Sequence, residues 1–519
     1  MKKPDYHTHD EYKVRLHKLD QIQALGVSSY PHRFQPTFSV ESVVIKYSES
    51  DAALGYEDAL AGKTPEVTVA GRLMLHRPMG KNIFAQIQEE GSRIQLLFNR
   101  DVIHVSGLEG DERAAHKFVE KMFDLGDIIG VRGHLFKTQK GELTVFVKEV
   151  TLLSKSLLPL PEKHAGLVDK ELRYRKRWLD MIMSPEVLAT FKMRSRIFRL
   201  IRTYFATHDF MEVETPVLER VYGGAQARPF ITHLNSLDMQ MYLRIALEIS
   251  LKKLLVGGIN RVFEIGKLMR NEGIDATHNP EFTSVEAYVA YWDYHDMMVF
   301  VENLYSFLAM ELFGTTKIGV RKDRAGVEHS IDVKTPWVRM TMKESILKYG
   351  GIDIETATDA DLRDRLKKAG VDGVEKKSRG LLIQATFEEF VERHLIQPHF
   401  ITDHPIETTP LCKLHRMEEH AKEGIVERFE AFILGMEACN AYSELNDPLL
   451  QRELLERQDR LLQEGTEGAS PLDEEFIEAV VQGMPPAAGV GIGLDRLTMV
   501  FTGATSIRDV IFFPMMRPN

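Results

Sequence analysis

The sequence predicts an α+β protein built of two successive domains, a small β-barrel and then an antiparallel β-sheet flanked by helices. Three observations predict it. Five β-rich runs, with one helical run between the third and the fourth, crowd into residues 66–154. An amphipathic helical pattern opens the second domain, with Met193, Ile197, Leu200, Ile201, Tyr204 and Phe205 at helical spacing. Further on, residues 261–292 read as two strands joined by a polar, charge-dense loop, the pattern of an antiparallel pair.

With 519 residues the chain exceeds what one hydrophobic core organises. Its formal charge of -10 argues against a protein that coats nucleic acid through bulk positive charge, although a local basic groove stays compatible with it. Cys412 and Cys439 are the only cysteines, which excludes a disulfide framework and speaks against a cysteine-rich zinc site. No run approaches ~20 uninterrupted apolar residues, and the start, MKKPDYHTHDEYKVRL, has no apolar stretch after its basic residues. Neither export nor a membrane span is expected, and a cytoplasmic location is.

Residues 1–65 are expected to form a helical extension. Within it 8–26 reads as a helix, with a Thr8–Glu11 capping box, a stripe of Leu16, Leu19, Ile22 and Leu25, and Gly26 at its end. Lys13, Arg15 and Lys18 lie off that stripe, as a solvated face or as phosphate contacts. The five runs of 66–154, with ERAAHKFVEKMF between the third and fourth, have the order of an OB-fold, a small closed barrel whose strand faces bind oligonucleotides. A two-residue turn at Glu90 and Gly91 places Phe84 and Gln95 on one face as diagonal neighbours. An aromatic for stacking beside an amide for reading a base edge suits unpaired RNA, although each residue by itself also fits an ordinary strand.

A proline-punctuated linker is expected over 155–180, and the second domain over 181–519. After the 193–210 helix comes FMEVETPVL, a strand interrupted by Pro216, which implies an edge or an interface. In the 261–292 hairpin, alternation puts Val262, Glu264, Gly266, Leu268 and Arg270 on one face and Phe282, Ser284, Glu286 and Tyr288 on one face. Residues 317–393 read as mixed α/β with no chemical constellation. In ERFEAFILGMEACNAYSELND, alternation puts Glu430, Asn440, Tyr442 and Glu444 on one face and Glu437 on the other, so a shared pocket requires a bulge near Gly435. AAGVGIGLDRLTMVFTG alternates Gly489, Gly491 and Gly493, leaving a bare strand face against which a flat adenine could lie, before Asp495 and Arg496 open a helix.

LMRNEGIDATHNPEFTSVEAY resembles motif 2 of class II aminoacyl-tRNA synthetases, with Met269 in place of the usual Phe. The helix, short strand and Pro216 resemble motif 1, and GIGLDR resembles motif 3. The chain is identified as a member of the lysyl-tRNA synthetase family, a resemblance that covers nearly everything from Glu66 onward.

The resemblance implies a ligase that activates L-lysine with ATP and passes it to the 3′ end of tRNA(Lys). Arg270 and Arg496 are then the catalytic cations. Gly224, Glu248, Arg270, Glu286, Tyr288, Asn440, Tyr442 and Glu444 are the lysine site, although Ala246-Leu247-Glu248 departs from the usual A-P-E. Arg270, Glu272, His278, Asn279, Phe282, Glu430, Glu437 and Arg496 are the ATP site, with Phe282 stacking on adenine and Glu430 and Glu437 holding Mg2+. In the barrel, Arg72, Phe84, Gln95 and Glu142 match anticodon contacts. Motif 1 implies a homodimer, and 317–393 is an insertion between motifs 2 and 3. An aspartyl or asparaginyl enzyme would need a cation or an amide where this pocket has acids. A non-catalytic paralogue would not need Arg270, Glu430, Glu437 and Arg496 together.

Overall fold

The computed structural model describes residues 5–49, 54–161, 169–466 and 468–518. Parts of the expected extension and linker, at 1–4, 50–53 and 162–168, lie outside the described residues. The chain divides into two compact units, Met1–Ala189 and Thr190–Asn519.

In the first unit, strands β1 (Glu66–Met79), β2 (Asn82–Glu89), β3 (Ser92–Asn99), β4 (Ile128–Lys137) and β5 (Leu143–Ser154) pair in the order β3-β2-β1-β4-β5, and β3 pairs in parallel with β5. That last pairing closes the barrel, so these strands have no free lateral edge. Its interior is filled by alternate residues such as Val67, Val69, Ile83, Ala85, Leu96 and Val131. The β2–β3 turn has Glu90 at φ +46 and Gly91 at φ +93, the two left-handed residues a tight hairpin requires. The helix Glu112–Met122 lies between β3 and β4 and is capped by Asp111.

The N-terminal helix, α1 (Asp10–Ala24), starts later than the Thr8 capping box implied, because Asp5–Thr8 forms a 3-10 turn and His9 takes the N-cap. Its buried stripe is also different. Arg15 is buried with Leu19 and Ile22, whereas Leu16 and Leu25 are exposed. Arg15 donates to the carbonyls of Leu125, Ser156 and Leu158, and Lys18 pairs with Asp124 at 2.6 Å. These two cations fasten the helix to the barrel, and only Lys13 keeps an exposed pairing, with Asp10. Within the segment expected as a linker, Lys170–Arg175 and Arg177–Met183 are helical, Arg177 pairs with Asp180 in the interior, and the contacts place both in the first unit.

The second unit is built on an eight-stranded sheet. In chain order its strands are β6 (Met211–Glu212), β7 (Arg261–Met269), β8 (Glu281–Ala290), β9 (Val338–Thr341), β10 (His399–Pro405), β11 (Ile425–Ile433), β12 (Met436–Ser443) and β13 (Ala487–Gly493). They lie side by side as β9-β10-β11-β12-β13-β8-β7-β6. The centre is antiparallel as expected, but both edge pairs, β6 with β7 and β9 with β10, are parallel. The 211–219 segment does not run as one strand: Met211–Glu212 and Leu218–Glu219 are separate short pieces on either side of an irregular stretch that holds Pro216.

Alternation gives the sheet two unlike faces. Phe263, Val285, Ala287, Val289, Phe429, Ala431, Ala441, Val490 and Ile492 enter one large core with helices Pro185–Thr207, Tyr294–Phe313 and Leu494–Thr502. The opposite face carries Glu286, Tyr288, Glu430, Asn440 and the glycines of β13. Residues 317–393 add the edge strand β9 and a satellite core of Met342, Ile346, Leu362, Leu366, Leu382 and Phe387, which joins the sheet at Ile401 and Phe432. No helix among the described residues is long and apolar enough to cross a membrane.

Candidate active site

The polar face of the sheet floors a cavity of about 550 Å³. The β7–β8 register sets one wall, with Glu264 opposite Glu286, Gly266 opposite Ser284 and Leu268 opposite Phe282. Glu264 is not part of the cavity. It pairs with Arg244 at 2.7 Å and accepts from Thr215, and the Arg244 guanidinium occupies the space that a side chain at Gly266 would need. Arg270, just past the end of β7, is tied back by N–H to Pro280 O, and its guanidinium lies over the Phe282 ring at 5.1 Å. Burial pulls its pKa down, and Glu272, Glu437 and Glu286 oppose that.

The β7–β8 loop is held by its own polar groups. Asp275 accepts from the Thr277 and His278 amides and faces His278 Nδ1 at 2.7 Å; partly desolvated, it is nonetheless held down at about 2 by these hydrogen bonds. Arg496 donates to His278 Nε2 at 2.9 Å and to Glu437 at 3.0 Å, so the His278 tautomer assigned by this network carries its proton on Nδ1, facing Asp275. Asp495, one residue before, is buried instead. It accepts from the Thr283 amide and pairs with Arg194 at 2.6 Å, so its carboxylate is already engaged although the residue, like Arg496, lines the cavity. Asn279 is buried, its amide donating to Glu281 O while its Oδ1 has no partner among the described residues.

The expected bulge is present in the β11–β12 hairpin. Ala431 pairs with Cys439 but Phe432 pairs with Glu437, so Ala438 is the extra residue, three positions past Gly435. The bulge reverses the alternation and brings Glu437 to the face of Glu430 and Asn440. Arg428, absent from the candidates that the sequence offers, organises this region. It donates to Glu430 at 2.6 Å, to Asn440 at 2.9 Å and to Thr408 at 2.8 Å. Burial pushes Glu430 up to about 7, Arg428 pulls it back, and Glu437 and Glu388 push it further.

On the far side, Gly224 at φ +84 allows its loop to approach the start of the helix Glu248–Val256, where an added Cβ would lie 2.9 Å from Ala246 and 3.0 Å from Glu248. The Leu247 amide opening that helix donates to Glu286, so the missing proline is replaced by a side-chain cap from β8. Burial pushes Glu286 up to about 7. Tyr288 donates to Glu286, and Tyr442 donates to Glu248 at 2.6 Å. Lys252, likewise absent from those candidates, is fully buried; it pairs with Glu248 at 2.5 Å and lies against Glu444. Burial alone would lower its pKa, but the two carboxylates hold it above the usual value. The one hint of it in the sequence is a lysine four residues after Glu248, on the same face as Leu251 and Leu255.

The lysine and ATP candidates all line this one cavity except Glu444, which is fully buried just beyond it. Glu444 Oε1 accepts no hydrogen bond among the described residues, and burial among Glu248 and Glu286 pushes its carboxyl up to about 8 against the pull of Lys252. Gly489 lines the cavity, and the space that its missing side chain leaves is bounded by Glu444 and Tyr288. The bare face expected to receive adenine is therefore divided: Gly489 opens toward the acids, and only Gly493 faces open space. The insertion also contributes, since Lys377, Leu381, Gln384 and Glu388 line the same cavity.

In the barrel, Phe84 is opposite Leu97 and Gln95 opposite Gln86, which makes Phe84 and Gln95 diagonal neighbours on one outward face. Phe84 packs at the rim of a small cluster with Leu97, Phe136 and Phe146. Glu142 is exposed just before β5, where Thr144 pairs with Gln95. Arg72 stands apart, opposite Gln88, with its guanidinium on Gly126 O at 2.7 Å.

Residues 67–153 match the OB-fold nucleic acid binding domain, and residues 169–517 match the family model of tRNA synthetases class II (D, K and N). The chain is similar to a lysine–tRNA ligase of Chlamydia caviae, 53% identical over 523 residues that cover 100% of this chain and 99% of that one. It is also similar to the ligases of that name from Nostoc punctiforme, 45% identical with 98% and 87% covered, and Moorella thermoacetica, 45% identical with 98% of each covered. With its barrel, its sheet and a cavity walled by the 261–292 hairpin, the acidic hairpin and the glycine strand, the chain belongs to the lysine–tRNA ligase family of class II tRNA synthetases.

Proposed function

We propose that this chain activates L-lysine with ATP in the cavity and transfers it to the terminal adenosine of tRNA(Lys). One observation carries the choice of lysine: three buried acids, Glu248, Glu286 and Glu444, gather in one place, and the buried cation Lys252 pairs with only two of them, Glu248 and Glu444. The ammonium groups of a bound lysine favour the ionised forms of Glu286 and Glu444, whose carboxyls burial pushes up to about 7 and about 8, while Arg270, which donates to Ile245 O, suits its carboxylate. A side-chain carboxylate, as in aspartate, would meet acids only.

In the first step a lysine carboxylate oxygen attacks the α-phosphorus of ATP in line, and pyrophosphate leaves. Arg270 faces both the carboxylate and the α-phosphate, and Arg496 reaches the departing phosphates, so the charge that develops is met by cations already in place. Phe282, Glu272, His278 and Asn279 hold the nucleotide. In the second step a ribose hydroxyl of the tRNA attacks the carbonyl carbon and AMP leaves. Glu430 and Glu437 fit magnesium, a hard ion that takes oxygen ligands: both are cavity carboxylates, and Arg428 engages only Oε1 of Glu430. When bound, the ion neutralises phosphate charge.

The barrel face with Phe84 and Gln95 takes the anticodon by stacking and base-edge contacts, with Glu142 beside it and Arg72 further along the same sheet. Met211, Val217 and Leu218 are exposed around Pro216, which suits a second copy of the chain as their cover and hence a homodimer. Two free, buried cysteines agree with work in the reducing cytoplasm. The decisive experiment is pyrophosphate exchange across a panel of amino acids. Lysine alone should support it at micromolar to millimolar levels, and exchange driven by aspartate or asparagine would overturn the reading.

A further inference from the structure

Asp403, His415 and His420 gather outside the cavity, and nothing in the aminoacylation chemistry uses them. Each offers one ligand atom, and the three atoms lie within 4.8 Å of one another. Local structure explains the meeting. Strand β10 shifts register between Thr402 and His404, and Asp403 between them takes φ +62. A bulge of this kind re-aims a side chain. His415 is fixed by its N–H on Ile425 O at 3.0 Å, beside the bridge of Leu414 to Val426. His420 comes from the short helix Glu418–Lys422 and brings its ring to 4.6 Å from that of His415.

Asp403 has a hydrogen bond with Thr402 and His415 Nδ1 accepts from the Met417 amide, but other polar atoms of the cluster are left unsatisfied by the protein. His415 Nε2 is 3.9 Å from Asp403 Oδ1, too long for a hydrogen bond. His420 Nδ1 is buried with no hydrogen-bond partner among the described residues, an arrangement that costs free energy unless something else binds there.

We propose that Asp403, His415 and His420 form a binding site for a divalent transition-metal ion, with zinc the best fit. Two imidazoles and one carboxylate are a donor set for zinc, cobalt or nickel, whereas magnesium prefers oxygen throughout. The spacing from His415 to His420 is of the H-x4-H kind found in zinc sites. Bonds of about 2.0–2.2 Å in a tetrahedron bring ligand atoms to roughly 3.4 Å apart, so the three side chains close by about 1 Å on metal uptake. Asp403 and His420 are only half-buried, which leaves water the fourth position.

Uptake has a defined proton consequence. Met417 N–H donates to His415 Nδ1 at 3.1 Å, so in the metal-free form the ring proton sits on Nε2. Metal at Nε2 moves that proton to Nδ1, and the Met417 amide gives up its bond. The ion ties the turn at 415–420 to β10. Arg416 inside that turn is already paired with Asp293 and Glu427, so the site reinforces an existing anchor and touches no substrate.

The test uses the full chain, stripped of metal and then held in saturating magnesium to fill the carboxylate site of the cavity. Cobalt is titrated and read by visible absorption, and zinc by competition and by thermal midpoint. One cobalt per chain with the bands of a four-coordinate N/O site is expected, together with a zinc-induced rise in midpoint and faster hydrogen exchange at Met417. His420→Ala and Asp403→Asn should each weaken binding at least tenfold and abolish the rise, with exchange activity in the absence of zinc unchanged. Equal binding by wild type and His420→Ala, or no stoichiometric binding, overturns the site. Both side chains are partly exposed, so these variants should fold, and circular dichroism checks that they do.

Discussion

Lys252 and Glu444 lie against one another with no solvent-exposed surface on either side chain, and Glu248 completes the pairing on the other side of the ammonium. A buried carboxylate that keeps one oxygen without a hydrogen bond, facing the gap left by Gly489, is poised for a second cation.

Glu444→Gln preserves the shape and removes that charge. It should raise the KM for lysine by about 3 kcal/mol, in the range for breaking one side of a buried charged pair, and leave the KM for ATP nearly unchanged. Pyrophosphate exchange with each substrate varied in turn measures both. A parallel loss for ATP would place Glu444 with the metal ligands instead.

Lys252→Met leaves Glu248 and Glu444 without their shared cation. Stability in urea should fall by roughly 3 kcal/mol, and the pH at which lysine binds best should move upward, because the remaining carboxyls ionise only at higher pH. A double-mutant cycle with Glu444→Gln should show strong coupling, since each residue is the other's partner.

Lysine binding should release protons near neutrality. Glu286 sits at about 7 in the folded chain, and a bound ammonium favours its ionised form. Titration calorimetry in buffers of different ionisation enthalpy reads the release, which Glu286→Gln should reduce. The sign for stability is the reverse of the usual carboxylate case: the folded pKa is raised, so the free protein is penalised above about 7 and the penalty fades as the pH falls toward the unfolded value near 4.5.

Arg428→Met should raise the magnesium concentration needed for half-maximal exchange while lysine binding persists, because Glu430 loses the group that orients it and favours its charge. Unchanged magnesium dependence would make Arg428 a purely structural strand residue.

Phe84→Ala should weaken tRNA charging through KM, by ~1–3 kcal/mol for a lost stacking contact. Lysine activation without tRNA should be unaltered, and an equal fall in that partial reaction would show that the ring serves only the small cluster with Leu97 and Phe146.

Much of this architecture is legible from local pattern. Alternation places Phe84 beside Gln95 and Glu286 on the floor of the cavity, and the demand that Glu430 and Glu437 share a face requires a bulge whatever the register. Strand period and turn chemistry are written in neighbouring residues, so they survive without coordinates. The family motifs name the same hairpin and glycine strand.

What the sequence could not supply were the partners brought from far along the chain. Arg15 reads as a solvated helix cation and is a buried anchor, because three carbonyls more than a hundred residues away converge on it. Glu264 reads as no less available than Glu286, yet Arg244 lies against it. Lys252, buried behind the cavity, and Arg428, Gln384 and Glu388, which line it, carry little local signal of those places. Whether a charge is solvated, paired or poised for a substrate depends on which distant groups share its space, and tertiary packing alone decides that.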